Sequence, residues 1–392
     1  MVRDRPRLLR CHGRPSEPNT LFHLGEVMHA SITVNRTELA AAVTFAAQAS
    51  PKRPVLEVLT GMRVTISAGT LEVAAFDYEL AARAKVSGEA SGPADMLVTG
   101  PELVAAVKSL PKGRKVTAEI TLTDGRMVIV CEGTETVLSA RDDADEYPQL
   151  PALPAESGVM DAETFARTVA RVAACAGRDD TLPVLTCVFL TGEDGVLEMA
   201  ATDRYRLAVD RPSWTGAAGL QILVPARDLE RFAKKSDRHG KISLHLDAQR
   251  AGFTDGTRTM IVRTMDGSFP RVHALLCDQD DTTVTVDAAT LTAAVTRAAQ
   301  LMGRNERIGF EVTGTGVTVR AMRDGQVTGT QTVPATIDGP ELETGFNAGY
   351  LASVLAGIDG EARIGFVGAV KPAHVRAADG FTAIVMPIRQ PE

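Results

Sequence analysis

The sequence has little that would support a metal, redox or membrane function. It holds five cysteines, none of which forms a C-x-x-C pair, and their odd number argues against a disulfide framework or a zinc site. A reducing cytoplasm suits such a composition better than an oxidising compartment does, so we expect a cytoplasmic protein. No run of about eighteen apolar residues occurs, and the sequence therefore predicts no membrane span.

The common catalytic and nucleotide-binding signatures are also missing. None of the seven histidines has the H-E-x-x-H spacing, and the chain contains no G-x-x-x-x-G-K-[ST] loop and no G-x-S-x-G elbow. Two acidic runs permit either a carboxylate metal cluster or a solvated linker: Asp142, Asp143, Asp145 and Glu146, then Asp278, Asp280 and Asp281. Each run lies at a predicted domain boundary, which favours the linker. We therefore predict no metal, no cofactor and no catalytic residue.

The chain is not basic overall. Lys plus Arg number 42 and Asp plus Glu number 49, which gives a formal net charge of -7. This balance excludes a uniformly basic nucleic-acid coat and leaves room for a local basic surface. The chain is 44% hydrophobic and 23% charged, so it can bury ordinary cores and is not largely disordered.

The first part of the chain differs from the rest. Residues 1–27 are rich in Arg and Pro, show no periodicity, and are followed by no apolar segment of a secretory signal. We expect residues 1–30 to be a disordered or non-native extension. A start at Met28 and an arm that touches DNA are the alternatives.

The remainder of the chain repeats itself at an interval of 126 residues. Leu39, Phe165 and Leu291 occupy equivalent places in three similar segments, and apolar residues follow each at helical spacing. Asn35, Asp161 and Asp287 precede these segments as predicted N-caps. Residues 96–110, 222–236 and 346–358 predict a second helix in each copy.

Short β-like runs with Gly-, Asp- and Thr-rich turns separate the predicted helices. Each copy is thus predicted to form two helices and about eight strands. This is an α+β domain in which the helices pack on antiparallel sheet. We place three similar domains at residues 31–150, 151–281 and 282–392. A quasi-symmetric arc or ring is a natural arrangement of three such domains.

The predicted helices carry acidic residues near their starts and basic residues near their ends. Glu163 and Asp228 are examples of the first group, and Lys234 and Arg297 of the second. One interpretation is complementarity to the helix macrodipole, worth about 0.3–1 kcal/mol per charge. The other is a basic wall that tracks phosphates without reading bases. The two interpretations are compatible.

Four further motifs suggest a family. They are ATDRYRLAV at 201–209, DGSFPRV at 266–272, GFNAGYL at 345–351 and VMPIR at 385–389. Together with the triple repeat, they resemble the bacterial DNA polymerase III beta subunit, the replicative sliding clamp. The resemblance covers about residues 31–389.

The resemblance implies a DNA clamp fold and a non-catalytic processivity factor. Two three-domain protomers would close head to tail into a ring around duplex DNA, with two inner helices per domain facing the DNA. Expected partners are duplex DNA of any sequence, a second copy of the chain, the DNA polymerase III alpha subunit, the clamp loader and other proteins with a clamp-binding motif. No membrane partner is expected.

The resemblance also implies a pocket for partner peptides between the second and third domains. The matching positions are Leu185, Thr202, Arg204, Tyr205, Arg206, Leu207, Pro270, Leu275, Asn347, Tyr350, Ile384, Val385, Met386, Pro387 and Arg389. Apolar members would hold hydrophobic anchors of the peptide, and the polar members would supply hydrogen bonds at the rim. Without the resemblance, the apolar members read as ordinary interdomain core.

A second set of residues is expected to face DNA. Arg53 and Arg227 match positions that contact duplex in the family, and Lys52, Arg167 and Arg171 are predicted from their placement on or beside helices.

Several positions depart from the family pattern. Arg204-Tyr205 stands where Gly-His or Ser-His is frequent, and Gln390-Pro391-Glu392 replaces a leucine after Arg389. Residues 56–59 read L-E-V-L instead of L-P-I-L, and Gln300 occupies an apolar position near the subunit interface. The alternatives to a loaded clamp are a paralogue that binds proteins without being loaded on DNA, and an unrecognised α+β enzyme.

Overall fold

The structure, a computed structural model, describes residues 29–113, 115–216, 218–276, 279–303 and 307–388. The predicted N-terminal extension lies outside these residues except for its last two positions, and Ala30 already begins the first strand.

Each of the three repeats contributes two helices within the described residues, which confirms the expectation from the periodicity. The two helices of a repeat pack against each other and against strands of the same repeat. None of them is both long and apolar enough to cross a membrane. They are α1 (Arg36–Ala46), α2 (Gly100–Ser109), α3 (Ala162–Ala173), α4 (Ala226–Lys235), α5 (Ala288–Leu301) and α6 (Ala348–Leu355).

The first helix of every repeat begins at a capping side chain, as predicted. The Asn35 side chain accepts a hydrogen bond from the backbone N–H of Thr37 at 2.8 Å. The Asp161 carboxylate accepts from the Thr164 N–H at 2.8 Å, and the Asp287 carboxylate accepts from the Thr290 N–H at 2.7 Å. Each cap satisfies a backbone donor that a helix start leaves without a partner. Asn347 does the same for α6, accepting from Tyr350 N–H at 3.1 Å.

Short strands fill the rest of each repeat. The first repeat holds β1 (Ala30–Asn35), β2 (Gly61–Ser67), β3 (Thr70–Phe76), β4 (Leu80–Ala90), β5 (Ala94–Thr99), β6 (Thr117–Thr123), β7 (Arg126–Cys131) and β8 (Thr134–Ser139). The second holds β9 (Gly158–Asp161), β10 (Cys187–Glu193), β11 (Val196–Thr202), β12 (Arg206–Asp210), β13 (Gln221–Pro225), β14 (Lys241–Leu246), β15 (Arg250–Thr254) and β16 (Arg258–Arg263). The third holds β17 (Thr282–Asp287), β18 (Ile308–Thr313), β19 (Gly316–Arg323), β20 (Gln326–Val333), β21 (Thr336–Asp338), β22 (Leu342–Phe346), β23 (Glu361–Phe366), β24 (Ala373–Ala377) and β25 (Thr382–Val385).

The sheets do not stop where the repeats stop. β4 of the first repeat pairs antiparallel with β16 of the second, and Ala81 lies opposite Ile261. β12 of the second repeat pairs in the same way with β25 of the third, and Leu207 lies opposite Ile384. Two large sheets, of twelve and nine strands, therefore each span a border between repeats, and a four-stranded sheet completes the third repeat.

Side-chain packing also crosses the first border. Phe45 on α1 meets Phe232 on α4 edge to face, with ring centroids 6.2 Å apart. Phe232 further contacts Phe165 at 5.9 Å and Phe253 at 5.8 Å. All four rings are buried, so this aromatic cluster joins the helices of the first two repeats to one continuous core.

We expect Phe232→Ala to lower the free energy of unfolding by about 3–5 kcal/mol, because it leaves a cavity among three other rings. Denaturant unfolding followed by circular dichroism measures this loss. Val55→Ala is the control, since Val55 is 93% exposed and its truncation should change stability by no more than about 0.5 kcal/mol. Equal denaturation midpoints for the two variants would contradict the contribution of the aromatic cluster to stability.

Candidate functional site

A groove of about 700 Å³ opens where the second and third repeats meet. Pairing of β12 with β25 brings its two sides together, and the Met386 N–H donates to the Tyr205 carbonyl at 2.9 Å. Six of the predicted pocket residues line this groove: Leu185, Arg204, Tyr205, Arg206, Asn347 and Tyr350. The residues come from three separate parts of the chain, so only the fold brings them together.

The turn before β12 positions the central part of the groove. The Asp203 carboxylate accepts hydrogen bonds from the backbone N–H groups of Tyr205 at 2.9 Å and Arg206 at 2.7 Å. Such a turn is typical of aspartate, whose short side chain bonds to the backbone two or three residues further on. Arg204, in the middle of the turn, has the left-handed φ of 78°. The turn thereby directs the Arg204 and Tyr205 side chains outward, where both are exposed.

Two aromatic rings meet across the groove. Tyr205 and Tyr350 stack with centroids 6.0 Å apart and an angle of 23° between their planes. The Arg206 guanidinium lies 4.4 Å from the centre of the Tyr350 ring, donates to Ser353 Oγ at 2.6 Å, and pairs with Asp203 at 2.8 Å. Arg206 thus ties the turn of the second repeat to α6 of the third.

Beneath the exposed turn lies a small apolar cluster. Leu207 and Ile384, both predicted for the pocket, are buried there with Ala200, Val209 and Val272. Thr202 is buried beside them and donates its hydroxyl to the Arg206 carbonyl at 2.6 Å. Pro270 and Leu275, on the segment that leads to the third repeat, are exposed. The groove lining includes none of these five predicted residues.

The predicted pocket residues near the C-terminus lie in different surroundings. Met386 is exposed beside Tyr205, whereas Pro387 lines a separate cleft of about 180 Å³ with Arg307 and Val370. Val385 is 0% exposed and lies in the main core, so its place in the pocket stays a prediction. Successive side chains of a strand point to opposite faces, so Ile384 and Val385 lie in different apolar clusters. Arg389 lies outside the described residues.

The groove also contains residues that were not predicted. Arg178, Leu182, Asp203, Lys234 and Ser353 all contribute to its lining. Asp203 stands inside the ATDRYRLAV motif, and its turn-forming role is readable from residue type alone. Nothing in the sequence connects α4 or Ser353 with this place, since their contribution depends on tertiary packing.

The residues predicted to face DNA are spread over the helices and one loop. Lys52 and Arg53 are exposed in the loop after α1, and Arg167 and Arg227 are exposed on α3 and α4. Arg227 also lines a cleft of about 370 Å³ together with Arg178. All four side chains are accessible to a ligand from the solvent.

The prediction for Arg171 is wrong. Its side chain is buried, 3% exposed as a residue, and donates to both oxygens of Asp379 at 3.0 and 2.6 Å. The guanidinium also lies 3.7 Å from the Asp210 carboxylate and 5.1 Å from the centre of the Phe381 ring. Arg171 therefore joins the second repeat to the third, and it has no free face for a phosphate.

We expect Arg171→Gln to lower the free energy of unfolding by at least about 2 kcal/mol. A fully buried ion pair that loses one partner costs about 3–5 kcal/mol, and the value here is reduced because the Asp379 side chain is 44% exposed. Denaturant unfolding measures the loss. Arg167→Gln, an exposed arginine on the same helix, should stay within about 0.5 kcal/mol of the unaltered chain.

The same ion pair predicts a pH dependence. Hydrogen bonding to Arg171 holds the pKa of Asp379 below its usual value, so its contribution is present above the unfolded-state pKa of about 3.9. That contribution is lost as the pH falls through the lower folded-state pKa. The stability difference between the unaltered chain and Asp379→Asn should shrink over that acidic range; a constant difference would contradict the assignment.

Two cysteine thiols are buried, and two carboxylates of the acidic runs take part in ion pairs. Burial raises the pKa of Cys175 to about 12 and that of Cys187 to about 11, so neither thiol is a ready nucleophile near neutral pH. Asp143 pairs with Arg141 at 2.6 Å, and Asp280 pairs with Arg376 at 2.6 Å and His374 at 3.0 Å. Within the described ranges, no group of three or more His, Cys, Asp or Glu side chains is arranged to hold a metal ion.

The chain matches known proteins over almost its whole length. Models of the N-terminal, central and C-terminal domains of the DNA polymerase III beta subunit match residues 30–151, 159–271 and 273–389. The beta sliding clamp of Micrococcus luteus is 34% identical over 78% of this chain and 99% of its own length, and that of Streptomyces coelicolor is 32% identical over 91% and 99%.

The fold agrees with solved structures as well. The sliding clamp of Pseudomonas aeruginosa bound to griselimycin superposes with a TM-score of 0.84 at 23% identity, covering 93% of this chain and 100% of that one. Beta sliding clamps are non-catalytic processivity factors of DNA replication, and the three-domain clamp fold that the resemblance implies is confirmed. The chain belongs to the DNA polymerase III beta subunit family, the beta sliding clamps.

Proposed function

We propose that two copies of this chain close head to tail into a ring that encircles duplex DNA. The observation that carries the proposal is the unbroken strand pairing across both borders between repeats. It arranges the repeats in one continuous run, in which β8 ends the twelve-stranded sheet and β20 ends the four-stranded sheet. Edge strands with unpaired backbone groups readily pair with another chain.

Side chains at the two ends support this assembly. Val137 on β8 is half exposed, as are Leu301 at the end of α5 and Val327 on β20. Apolar side chains beside a free strand edge are typical of a surface that becomes buried on association. We propose that β8 of one protomer pairs with β20 of its partner, with Leu301 and the neighbouring Gln300 at this interface.

The ring would hold DNA by topology rather than by tight contacts. The proposed phosphate contacts are Lys52, Arg53, Arg167 and Arg227, because all four side chains are exposed. Screened contacts of this kind let a protein move along a duplex, whereas base-specific hydrogen bonds would stall it.

The groove between the second and third repeats is the proposed site for partner peptides. Its Tyr205–Tyr350 stack supplies apolar surface, and Arg204, Arg206 and Asn347 supply polar groups at the edge. Such a combination suits a short segment with hydrophobic anchors, as on the polymerase alpha subunit, the clamp loader and other proteins with a clamp-binding motif. We propose domain borders near residues 150 and 281, and a cytoplasmic location, where replication takes place.

We expect topological retention on DNA. The protein is loaded onto nicked circular duplex by its cognate loader and washed at high salt, because salt removes electrostatically bound protein but not a closed ring. The amount retained is measured before and after the circle is cut. Retention on the circle followed by loss on cutting is the expected result.

Loss during the salt wash, before the circle is cut, would contradict the ring. That outcome would favour a paralogue that binds proteins without being loaded on DNA.

We further expect the double variant Tyr350→Ala, Met386→Ala to weaken binding of a polymerase-tail peptide at least about tenfold, because truncation of buried or stacked anchors dominates interface energies. Fluorescence anisotropy with a labelled peptide measures the affinity. Tyr78→Ala is the matched control: Tyr78 occupies the equivalent turn at the first border, is exposed, and should leave peptide affinity unchanged. Equal affinities for the double variant and the control would refute the site.

A further inference from the structure

The loop after α1 exposes two apolar side chains that lie outside the core. Val55 is 93% exposed, more than any other large apolar residue in the described part of the chain, and Leu56 beside it is 50% exposed. These two residues form the tip of the loop. Apolar side chains that stay in water add nothing to folding, so the tip gains free energy only when another surface covers it.

The base of the loop holds the tip in place. Val58 and Leu59 follow the tip and are buried in a cluster with Leu97 and Tyr147. The Leu59 N–H donates to the Leu56 carbonyl at 3.1 Å, which ties the tip to this base. Apolar groups on an ordered base lose little conformational freedom when they bind, so more of their burial contributes to affinity.

Two cations directly precede the tip. Lys52 and Arg53 are exposed, and both are proposed phosphate contacts. Glu57 follows the tip, and its carboxylate interacts electrostatically with Arg141, which donates to the Thr60 hydroxyl at the base of the loop. The loop thus places apolar surface beside positive charge. That combination suits the DNA backbone, in which the CH groups of the sugars alternate with anionic phosphates.

The same loop of the second repeat has different chemistry. Both loops end in the tripeptide Val-Leu-Thr, and the interval of 126 residues then places Thr181 at the position of Val55 and Asp179 at that of Arg53. The Asp179 carboxylate accepts a hydrogen bond from the Thr181 hydroxyl at 2.7 Å. Polar residues therefore occupy this place in the second repeat, and an exposed apolar tip is not a requirement of the shared fold.

We propose that the tip packs against deoxyribose rings of the duplex while Lys52 and Arg53 contact the adjacent phosphates. The inference rests on the proposed function of the chain as a clamp around DNA. Every nucleotide presents the same sugar whatever its base, so such a contact is independent of sequence and compatible with sliding. Burial of apolar surface releases no counterions, so the tip adds affinity that salt does not weaken.

The test is the salt dependence of binding to a short linear duplex, measured by fluorescence anisotropy of the labelled DNA with the full-length protein. We expect the double variant Val55→Ser, Leu56→Ser to bind about tenfold more weakly at every salt concentration. The slope of log affinity against log salt should stay unchanged. Arg53→Gln should instead make that slope shallower by about 0.9, the contribution of one phosphate contact.

Val370→Ser is the matched control, because it removes another valine, 61% exposed, that lies in the third repeat. It should leave both the affinity and the slope unchanged. Val55→Leu keeps an apolar side chain at the tip and should retain the affinity of the unaltered chain. Thermal melting of each variant checks that the chain stays folded. Equal weakening in Val370→Ser and the double variant would overturn the inference.

The failure of the inference is distinguishable from failure of the proposed function. If the unaltered chain is not retained on circular DNA, the ring is refuted and the inference falls with it. If the chain is retained but the double variant binds the duplex as tightly as the unaltered chain, the function stands and the inference is overturned. Absence of any binding of the unaltered chain to linear duplex at low salt also overturns the inference.

Three further outcomes would assign the tip another role and would overturn the proposal. A shallower slope in the double variant, equal to that of Arg53→Gln, would mean that the tip only positions the cation. Weakening confined to duplexes rich in flexible TA steps would indicate insertion between bases. Slower loading at unchanged duplex affinity would indicate that the tip contacts the loader protein.

Discussion

Backbone hydrogen bonds between β4 and β16, and between β12 and β25, set how the three repeats are arranged. Because side chains alternate along a strand, the register at each border decides which residues face the core. Ile261 and Ile384 occupy equivalent places opposite the partner strand, and each lies in a small apolar cluster at its border. Their neighbours Val262 and Val385 lie in the main core instead. A slip of one residue at either border would exchange these two environments, and a slip at the second border would also displace the two sides of the groove.

The two borders share a turn and differ in chemistry. Tyr78 and Arg204 occupy the same left-handed position, but the next residue at the first border is Glu79, which pairs with Arg263 of the second repeat at 3.4 Å. At the second border that residue is Tyr205, which stacks on Tyr350. Leu150 and Leu153 cover the apolar cluster of the first border, and Leu153 approaches so closely that a Cβ at Gly252 would lie 2.4 Å from it. The same backbone turn thus carries an ion pair across the first border and an aromatic stack across the second.

Periodicity predicted the repeated architecture because it reports local structure. The helices, their Asn35, Asp161 and Asp287 caps and the α+β class all follow from spacing and residue type within one repeat. The different environments of Arg167 and Arg171 do not follow from spacing and residue type. Both are basic and lie one helical turn apart on α3, yet one is exposed and the other is buried against Asp379 of the third repeat. The contact joins residues 208 positions apart, and no pattern inside the helix predicts it. Ile384 and Val385 show a related limit, because strand alternation, and not their match to a family position, places one in the border cluster and the other in the main core.

The buried arginines limit which cations remain for DNA. Arg36 on α1 donates to the carbonyls of Val107 and Leu110, both at 3.1 Å, and so completes the C-terminal end of α2. Arg171 joins two repeats, and Arg206 joins β12 to α6. Basic residues at helices therefore divide into a structural set with fixed partners and an exposed set that includes Lys52, Arg53, Arg167 and Arg227. Members of the exposed set are separated on different elements of a chain whose net charge is -7. A few scattered cations on an acidic body give weak, salt-sensitive attraction to phosphates, and such attraction permits movement along DNA only if closure of the ring prevents escape.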